Sequence, residues 1–391
     1  MSGFRVLVLG GSGVFGRRLC ARLAAEPRFE VQLASRRLPR AAACCAAIRR
    51  ETPSARVEPV AVTLPSGLAP ALEATAPDLL IDASGPFQGR DLAVLETCID
   101  RGVHYLDLAD ARDFVRRFVA LDVSAEAAGV IALTGASSIP ALSSTVVAAL
   151  AAGMSRVERI EMAILSAQRQ DRGLAMVAGV LKGVGKPITA LRDGHAVVLH
   201  GWQDQRRLGP DDPLFAALGP RWLGACDAPD LDLLPERYPA LRDLTFSAGL
   251  EAAPAHLGLW ALSWPVRLGL VPSLVPIASG LTRFAEGFSA FGSRRGGMQV
   301  VVAGRDADGT PARRAWTLLA DQGDGPWVPI LPAVLVARRI AQGELKRPGA
   351  RACLEAFSLA EFEALLGPLA IQTQIIDVSQ AREGASHVRA A

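Results

Sequence analysis

The chain has 391 residues, of which 50% are hydrophobic and 21% are charged. This balance excludes an intrinsically disordered protein, and the length predicts two domains, since one hydrophobic core rarely grows so large. Arginine and lysine total 42 against 39 aspartate and glutamate residues, so no excess of positive charge indicates a nucleic-acid partner.

Strands alternate with helices in the predicted structure of the N-terminal third. Six short aliphatic runs are predicted as strands, at 4–9, 30–34, 57–62, 79–82, 103–108 and 130–133. Helical patterns separate them, at 39–50, 68–76, 89–101 and 111–128, after a first helix that begins near Val14. This alternation is typical of an α/β fold, and it predicts an N-terminal Rossmann domain with a doubly wound parallel sheet over residues 1–135.

The pattern changes after Gly135, which predicts a second domain of the α+β class over residues 136–350. Strands are expected at 157–166, 195–200, 297–303 and 312–319, and helices at 140–152, 173–182, 254–268, 273–288 and 329–342. Residues 209–239 are rich in proline and glycine and are predicted as a long loop. Residues 351–391 form a C-terminal segment whose last part lacks an apolar pattern, so a flexible tail is expected there.

A glycine-rich segment connects the first predicted strand to the first predicted helix. It matches the pattern G-x-G-x-x-G, in which the glycines permit a tight turn, a close backbone approach to a pyrophosphate, and helix–strand packing. The N-terminus of the following helix attracts phosphate. The sequence therefore predicts a dinucleotide site at Gly10, Gly11, Ser12, Gly13, Val14, Phe15 and Gly16.

The residues that end the second strand predict which dinucleotide binds. A site for NAD usually carries an acidic residue about 20 positions after the glycine motif. This chain instead has Ser35, Arg36 and Arg37 at that place. Because a hydroxyl and guanidinium groups can hold the 2′-phosphate of NADP, the sequence predicts NADP as the cofactor.

A second cofactor segment is predicted where the fourth strand ends. Ligands of open α/β sheets bind at the carboxyl ends of the strands, so this turn is expected to face the nicotinamide half of the cofactor. Its predicted contacts are Ser84, Gly85, Pro86 and Phe87.

Candidates for proton transfer are few. Asp107 and Asp110 lie at the end of the fifth strand and in the following loop, where a carboxylate could orient a substrate. A hydrogen bond to the next helix N-terminus is the alternative for each, because aspartate is a preferred capping residue. His104 is predicted to be a packing residue. The scattered cysteines and histidines have no metal-ligand spacing, so no metal site is predicted.

The apolar stretch 257–281 leaves two alternatives open. Prolines and an arginine within it argue against a transmembrane helix. Trp260 and Trp264, four residues apart, are compatible with docking on a membrane or contact with a lipid-like substrate. Packing in the core or in a dimer interface is the other interpretation. The N-terminal glycine-rich sequence is unlike a signal peptide, so a cytoplasmic location is expected.

The segments GGSGVFGRRL, DASGPFQ and CIDRGVHYLDLAD, together with Phe114, resemble the saccharopine dehydrogenase NADP-binding family. The resemblance covers residues 4–140. The segment GASSIPALS at 135–143 and the region 297–362 are similar to a bacterial branch of saccharopine dehydrogenase-like oxidoreductases. Acidic or basic residues that would grip an amino-acid substrate cannot be placed as a full set, which separates this chain from the saccharopine-forming members.

The resemblance implies an NADP-dependent oxidoreductase with a Rossmann domain and an α+β domain that binds substrate and forms a homodimer. The expected reaction transfers a hydride to or from a small or lipid-like metabolite, whose identity is unassigned. The alternative is a protein that binds NADPH as a sensor or scaffold without turnover, because Rossmann domains also occur without catalysis.

Overall fold

The structure is a computed structural model that describes residues 3–171, 173–287 and 292–378. The chain forms two compact units within these ranges. The first contains the residues up to Leu142 together with Pro326–Phe362. The second contains Ser143–Gly325 and the chain from Glu363 onwards.

The first unit has the predicted alternation of strands and helices. Its first six strands are Phe4–Leu9 (β1), Phe29–Ser35 (β2), Val57–Ala61 (β3), Leu79–Asp82 (β4), His104–Asp107 (β5) and Ile131–Thr134 (β6). The helices between them are Val14–Ala24 (α1), Leu38–Glu51 (α2), Leu68–Thr75 (α3), Ala93–Asp100 (α4), Arg112–Phe118 (α5) and Asp122–Ala127 (α6). Every residue of β4 and β6 is buried, as expected for strands of a parallel sheet that is covered on its faces.

The sheet of the first unit confirms the predicted α/β fold. Six of its strands lie in the order β3-β2-β1-β4-β5-β6, and all neighbouring pairs are parallel. This is the strand order of a Rossmann fold, in which the chain crosses over between β1 and β4. The carboxyl ends of β1 and β4 are therefore adjacent, because Leu9 pairs with Asp82.

A late segment of the chain completes this sheet, which differs from the predicted domain boundaries. Residues 329–350 were expected in the second domain, yet Leu331–Ala341 (α13) and Gly349–Ala352 (β15) lie in the first unit. The strand β15 pairs in parallel with β6, and Ala350 N donates to Asp122 Oδ1 at 2.8 Å. The pairing with β6 and the hydrogen bond to the Asp122 side chain hold the segment against the edge of the sheet, because the edge of β6 would otherwise offer unpaired donors and acceptors.

The second unit is built on a mixed nine-stranded sheet, in agreement with the predicted α+β class. Its strands are Met154–Ser166 (β7), Pro187–Arg192 (β8), His195–His200 (β9), Arg206–Arg207 (β10), Trp222–Ala225 (β11), Asp243–Leu250 (β12), Gly296–Asp306 (β13), Pro311–Ala320 (β14) and Ile371–Asp377 (β16). Its helices include Ser143–Ala151 (α7), Leu174–Gly183 (α8), Phe215–Leu218 (α9), Asp230–Arg237 (α10), Ala253–Arg267 (α11) and Ala278–Glu286 (α12).

Two parts of the chain predicted as irregular contain regular structure. Residues 209–239 include α9, β11 and α10 instead of a continuous loop. After β15, the helix Leu359–Ala364 (α14) and the strand β16 follow, and β16 pairs with β14 over seven residue pairs. A flexible tail was expected over about the last 20 residues. Its first part, up to Asp377, instead belongs to β16, and the residues from 379 onwards lie outside the described residues. Among the helices that the structure describes, none combines the length and apolarity needed to cross a bilayer.

Candidate functional site

The glycine motif forms a tight turn between β1 and α1. Gly10 has a positive φ of 68°, and Gly13 N donates to Gly10 O at 2.8 Å. A Cβ atom on Gly10 would lie 2.7 Å from Ser84 Cα, and one on Gly16 would lie 2.2 Å from Gly10 O. Both positions therefore require glycine for the fold itself, since backbone atoms fill the space that a side chain would need.

Gly13 has a different environment from the other glycines of the motif. A Cβ atom there would meet only Gly10 O, at 3.1 Å, among the described residues. Gly13 is the N-cap of α1, and within the described chain no side chain caps this helix and no acidic residue lies in its first turn, which begins with Val14 and Phe15. The helix N-terminus can thus receive an anion, which its dipole and its amide groups favour.

Two predicted cofactor residues, 23 positions apart in the chain, meet beside this turn. Ser12 Oγ lies 3.0 Å from Ser35 Oγ, at the end of β2. Arg40, in the first turn of α2, donates from Nη2 to Ser12 O at 3.3 Å. The structure therefore brings the glycine turn and the end of β2 into one polar cluster, which we call the β2 cluster: Ser12, Ser35 and Arg40.

Arg36 and Arg37 follow this cluster directly and are exposed. Neither guanidinium makes a hydrogen bond or an ion pair with any residue in the described part of the chain. Two unpaired positive charges thus lie next to Ser35 at the edge of the sheet where a dinucleotide binds in this fold. Arg40 was missed by the sequence argument, which considered only the residues that end the strand.

An ion pair fixes the turn after β4. The carboxylate of Asp82 is buried, and its Oδ1 accepts hydrogen bonds from Ser84 N at 2.9 Å and from Ser84 Oγ at 2.6 Å. Arg90 Nη2 lies 2.9 Å from Asp82 Oδ2, and Arg90 Nη1 donates to Ser84 Oγ at 3.1 Å. Ser84 is therefore held from both sides, in the turn that follows β4, the strand that neighbours β1.

The rest of this turn contains Gly85, Pro86 and Phe87, with a cis peptide bond before Pro86. The ring of Phe87 is buried, and its centroid lies 5.2 Å from that of Phe114. Arg90 stacks over the same ring at 5.4 Å. The side chain of Phe87 thus packs within the first unit, while the contact of this turn with a cofactor remains a prediction.

Asp107 is fully buried at the end of β5. Its Oδ1 accepts hydrogen bonds from Ala109 N at 2.9 Å, Thr134 Oγ1 at 2.9 Å and Gly135 N at 2.7 Å. Burial raises the pKa of Asp107 to about 7, although these three hydrogen bonds lower it. The carboxyl group connects the loops that follow β5 and β6, so this geometry fits a positioning role.

Asp110 is exposed in the loop after β5, and its Oδ1 accepts a hydrogen bond from Gln88 Nε2 at 3.1 Å. Gln88 belongs to the turn after β4, so the pair joins the carboxyl ends of two adjacent parallel strands. Of the two predicted carboxylates, only Asp110 has access to solvent. His104 lies at the start of β5, and its Nδ1 accepts a hydrogen bond from Ile131 N at 3.1 Å. This contact agrees with a packing role.

Within the described residues, no three histidine, cysteine, aspartate or glutamate side chains lie close enough together to hold a metal ion.

Comparison with known proteins supports the fold described above. No curated protein matches the chain. The structure resembles that of saccharopine dehydrogenase (L-Glu forming) from Saccharomyces cerevisiae, with a TM-score of 0.62 and 14% identity over 96% of this chain and 100% of that chain. At this identity the likeness shows a shared fold only.

Two other solved structures are less similar. GenD2 from gentamicin A biosynthesis, in complex with NAD, gives a TM-score of 0.40 with 15% identity over 96% of this chain and 97% of that chain. Amine dehydrogenase from Mycobacterium smegmatis gives 0.37 with 13% identity, over 64% of this chain and 79% of that chain. Neither supports an argument about this chain.

The part of the chain that matches a family model lies within the first unit. Residues 6–133 match the model of the saccharopine dehydrogenase NADP binding domain. This range contains most of β1, all of β2 to β5, the glycine turn, the β2 cluster and the Asp82–Arg90 pair. The predicted resemblance is therefore confirmed for residues 6–133, which match the NADP-binding domain of the saccharopine dehydrogenase family.

Proposed function

We propose that this chain is an NADPH-dependent oxidoreductase that transfers a hydride between the nicotinamide and a small or lipid-like metabolite. The observation that carries the proposal is the β2 cluster, together with Arg36 and Arg37 beside it, whose side chains have no partner among the described residues. The family match supports a nicotinamide dinucleotide at this place, and the arginines favour the phosphorylated form.

The glycine turn fits a pyrophosphate at the start of α1. A Cβ atom on Gly13 would meet one backbone oxygen of the described chain at 3.1 Å, so the protein's own packing does little to require a glycine there. A ligand that approaches the backbone closely would require it. The amide groups that begin α1 and the positive end of its dipole would hold the diphosphate.

The end of β2 supports a preference for NADPH over NADH. A carboxylate there would accept hydrogen bonds from the ribose hydroxyls of NADH and would repel a 2′-phosphate. This chain offers Ser35 with Arg36 and Arg37 instead. Both guanidinium groups can form charge-assisted hydrogen bonds with phosphate, and neither would first have to leave a partner among the described residues.

Bound NADPH would supply the hydride, and this chain would position the substrate and move a proton. We assign the second task to Asp110, because it is accessible and because Gln88 fixes one of its oxygens. Asp107 has the role of a positioning residue in this proposal, since its buried carboxyl group holds the loop that carries Asp110.

A screen for NADPH oxidation tests the activity. Purified protein is offered ketones, imines, keto acids and enoyl compounds, and loss of NADPH absorbance is followed. With an active compound, Asp110→Asn should lower kcat by about a hundredfold, which is typical for loss of a general acid or base, and should leave the Kd for NADPH unchanged. Asp113→Asn is the matched control, because Asp113 is also exposed and lies on the next helix.

Two outcomes would count against the proposal. Unchanged turnover in Asp110→Asn would remove Asp110 from the mechanism. Tight NADPH binding with no oxidation across the whole panel would favour the alternative of a sensor or scaffold.

The family resemblance supports a homodimer. The sequence supports a cytoplasmic location. Sedimentation velocity of the full chain tests the first, and a dimer is the expected species. Fractionation of the producing cells tests the second.

A further inference from the structure

The second unit exposes a ridge of large apolar side chains on α11, α12 and the connection between them. Leu268 and Leu270 are the most exposed, at 66% and 74%. Single exposed apolar residues are common on proteins, but a contiguous set is typical of an interaction surface. We define the apolar ridge as Trp260, Trp264, Leu268, Leu270, Val271, Ile277 and Phe284.

Residues next to the ridge hold it in place. Val266 and Leu274 are buried in a hydrophobic cluster with residues such as Trp202, so the connection is attached to the unit on both sides of Leu270. Leu270 N and Val271 N donate to Pro265 O at 2.9 and 3.3 Å. These contacts fix the backbone. The exposed position of Leu268 and Leu270 is therefore a consequence of the fold.

The spacing of the ridge residues places them on the same side of their helices. Trp260, Trp264 and Leu268 follow one another at intervals of four residues, which line one face of α11 and its end. Ile277 and Phe284 are seven residues apart, which is two helical turns. Tryptophan is enriched where a protein meets the interface of a bilayer, since its ring is apolar and its indole N–H is polar.

The charge of this segment matches an anionic surface. Residues 253–286, which include both helices and their connection, contain a single acidic residue, Glu286, and two exposed arginines, Arg267 and Arg283. Arg267 stacks on Trp264 at 5.1 Å. A second copy of the chain fits this surface less well, because a twofold contact would bring these arginines together with Glu286 as the single acidic residue of the same segment.

We infer that the apolar ridge docks on the surface of an anionic lipid bilayer. Leu268 and Leu270 would enter the boundary of the acyl chains, the two tryptophans would lie at the level of the headgroups, and Arg283 would contact lipid phosphate. Association would be peripheral. This inference does not depend on the proposed catalytic activity.

Vesicle co-sedimentation tests the inference. The full chain should bind vesicles of phosphatidylcholine with phosphatidylglycerol more strongly than vesicles of phosphatidylcholine alone. The double substitution Leu268→Ser and Leu270→Ser should weaken binding by about a hundredfold, since each buried leucine contributes about tenfold. Arg283→Gln should weaken binding to the anionic vesicles by about fivefold, with no effect on the neutral ones.

Val198→Ser is the matched control, because Val198 is also highly exposed, at 64%, but lies on β9. This variant should bind as the wild type does. The thermal midpoint of each variant should equal that of the wild type, because the exchanged side chains are exposed.

The inference is overturned if the wild-type chain stays in solution with both kinds of vesicle, or if the double leucine variant binds like the wild type. It is also overturned if the leucine substitutions dissociate an oligomer of the wild-type chain, because the ridge would then be covered by a second copy. A variant that loses vesicle binding but keeps its sedimentation coefficient and its affinity for NADPH supports it.

Discussion

Ser12 and Ser35 place their hydroxyl oxygens 3.0 Å apart, although one lies in the turn after β1 and the other at the end of β2. The contact joins the part of the site that would hold the pyrophosphate to the part that would select the 2′-position of the ribose. A ligand that spans both would therefore contact a surface that is already assembled, which limits the entropy lost on binding.

The glycines of the turn should separate into two classes by substitution. Gly16→Ala should lower the free energy of unfolding by about 2 kcal/mol or more, because its Cβ would lie 2.2 Å from Gly10 O. Gly13→Ala should cost less stability than Gly16→Ala, because its Cβ would meet a single backbone oxygen at 3.1 Å, and it should weaken NADPH binding by about tenfold, since the Cβ would occupy the space of the ligand. Urea denaturation and NADPH titration measure the two effects. Equal loss of stability in both variants would contradict this distinction.

The ion pair of Asp82 and Arg90 should be important for stability because Asp82 is buried. Arg90→Ala should lower the free energy of unfolding by about 3 kcal/mol, as expected when a buried charge loses its partner. Adding Asp82→Asn to the Arg90→Ala variant should restore more than about 1 kcal/mol of the lost free energy of unfolding, because the double variant has no buried charge at this place.

Arg101→Ala provides the control for this ion pair, since Arg101 pairs with Glu73 at the surface and should contribute less than about 1 kcal/mol. Urea denaturation of Arg90→Ala, Asp82→Asn, the double variant and Arg101→Ala measures each effect. Strictly additive losses from the Arg90 and Asp82 substitutions would show that the two groups are not coupled.

The pH dependence of stability should reveal the buried carboxyl group of Asp107. Its pKa of about 7 lies above the ordinary value of 3.8, so the folded chain binds this proton more tightly than the unfolded chain between those two values. The contribution of Asp107 to the free energy of unfolding is therefore greatest at low pH and is lost as the pH rises towards 7.

Asp107→Asn removes this titration. The thermal midpoint of the variant relative to the wild type should therefore rise between about pH 5 and about pH 8, whatever constant cost the substitution carries. A difference in thermal midpoint that stays constant with pH would contradict the raised pKa of Asp107. A difference that falls as the pH rises would indicate that the pKa is lowered instead.

The arrangement of the first sheet could be predicted because its six N-terminal strands are aliphatic runs with turns and helices between them. The strand β15 could not be predicted in this way. Its sequence, Gly349–Ala352, contains no β-branched or aromatic residue, so local propensity gives no signal for a strand. It is a strand because β6 presents a free edge, which is a property of the assembled sheet.

The residues of the candidate site also fall into two groups, those that the sequence could indicate and those that only the tertiary fold reveals. The pattern of glycines, Ser35 and the following arginines has fixed spacing from the first strand, and this spacing alone indicated where a dinucleotide would bind. Arg40 and Arg90 follow no such pattern. Their roles depend on contacts with Ser12 and Asp82, which the tertiary fold creates. The burial that separates Asp107 from Asp110 has the same origin, since both are aspartates close to the end of one strand.

The preference for NADPH over NADH tests the central claim most directly. Titration of the full chain, followed by intrinsic fluorescence, should give a Kd for NADPH lower than that for NADH by about tenfold or more, because the two proposed charge-assisted contacts would form only with the 2′-phosphate. Arg36→Ala with Arg37→Ala should abolish this difference, whereas Arg50→Ala, at the other end of α2, should preserve it. Equal affinity for the two dinucleotides in the wild-type chain, or tighter binding of NADH, would contradict the account.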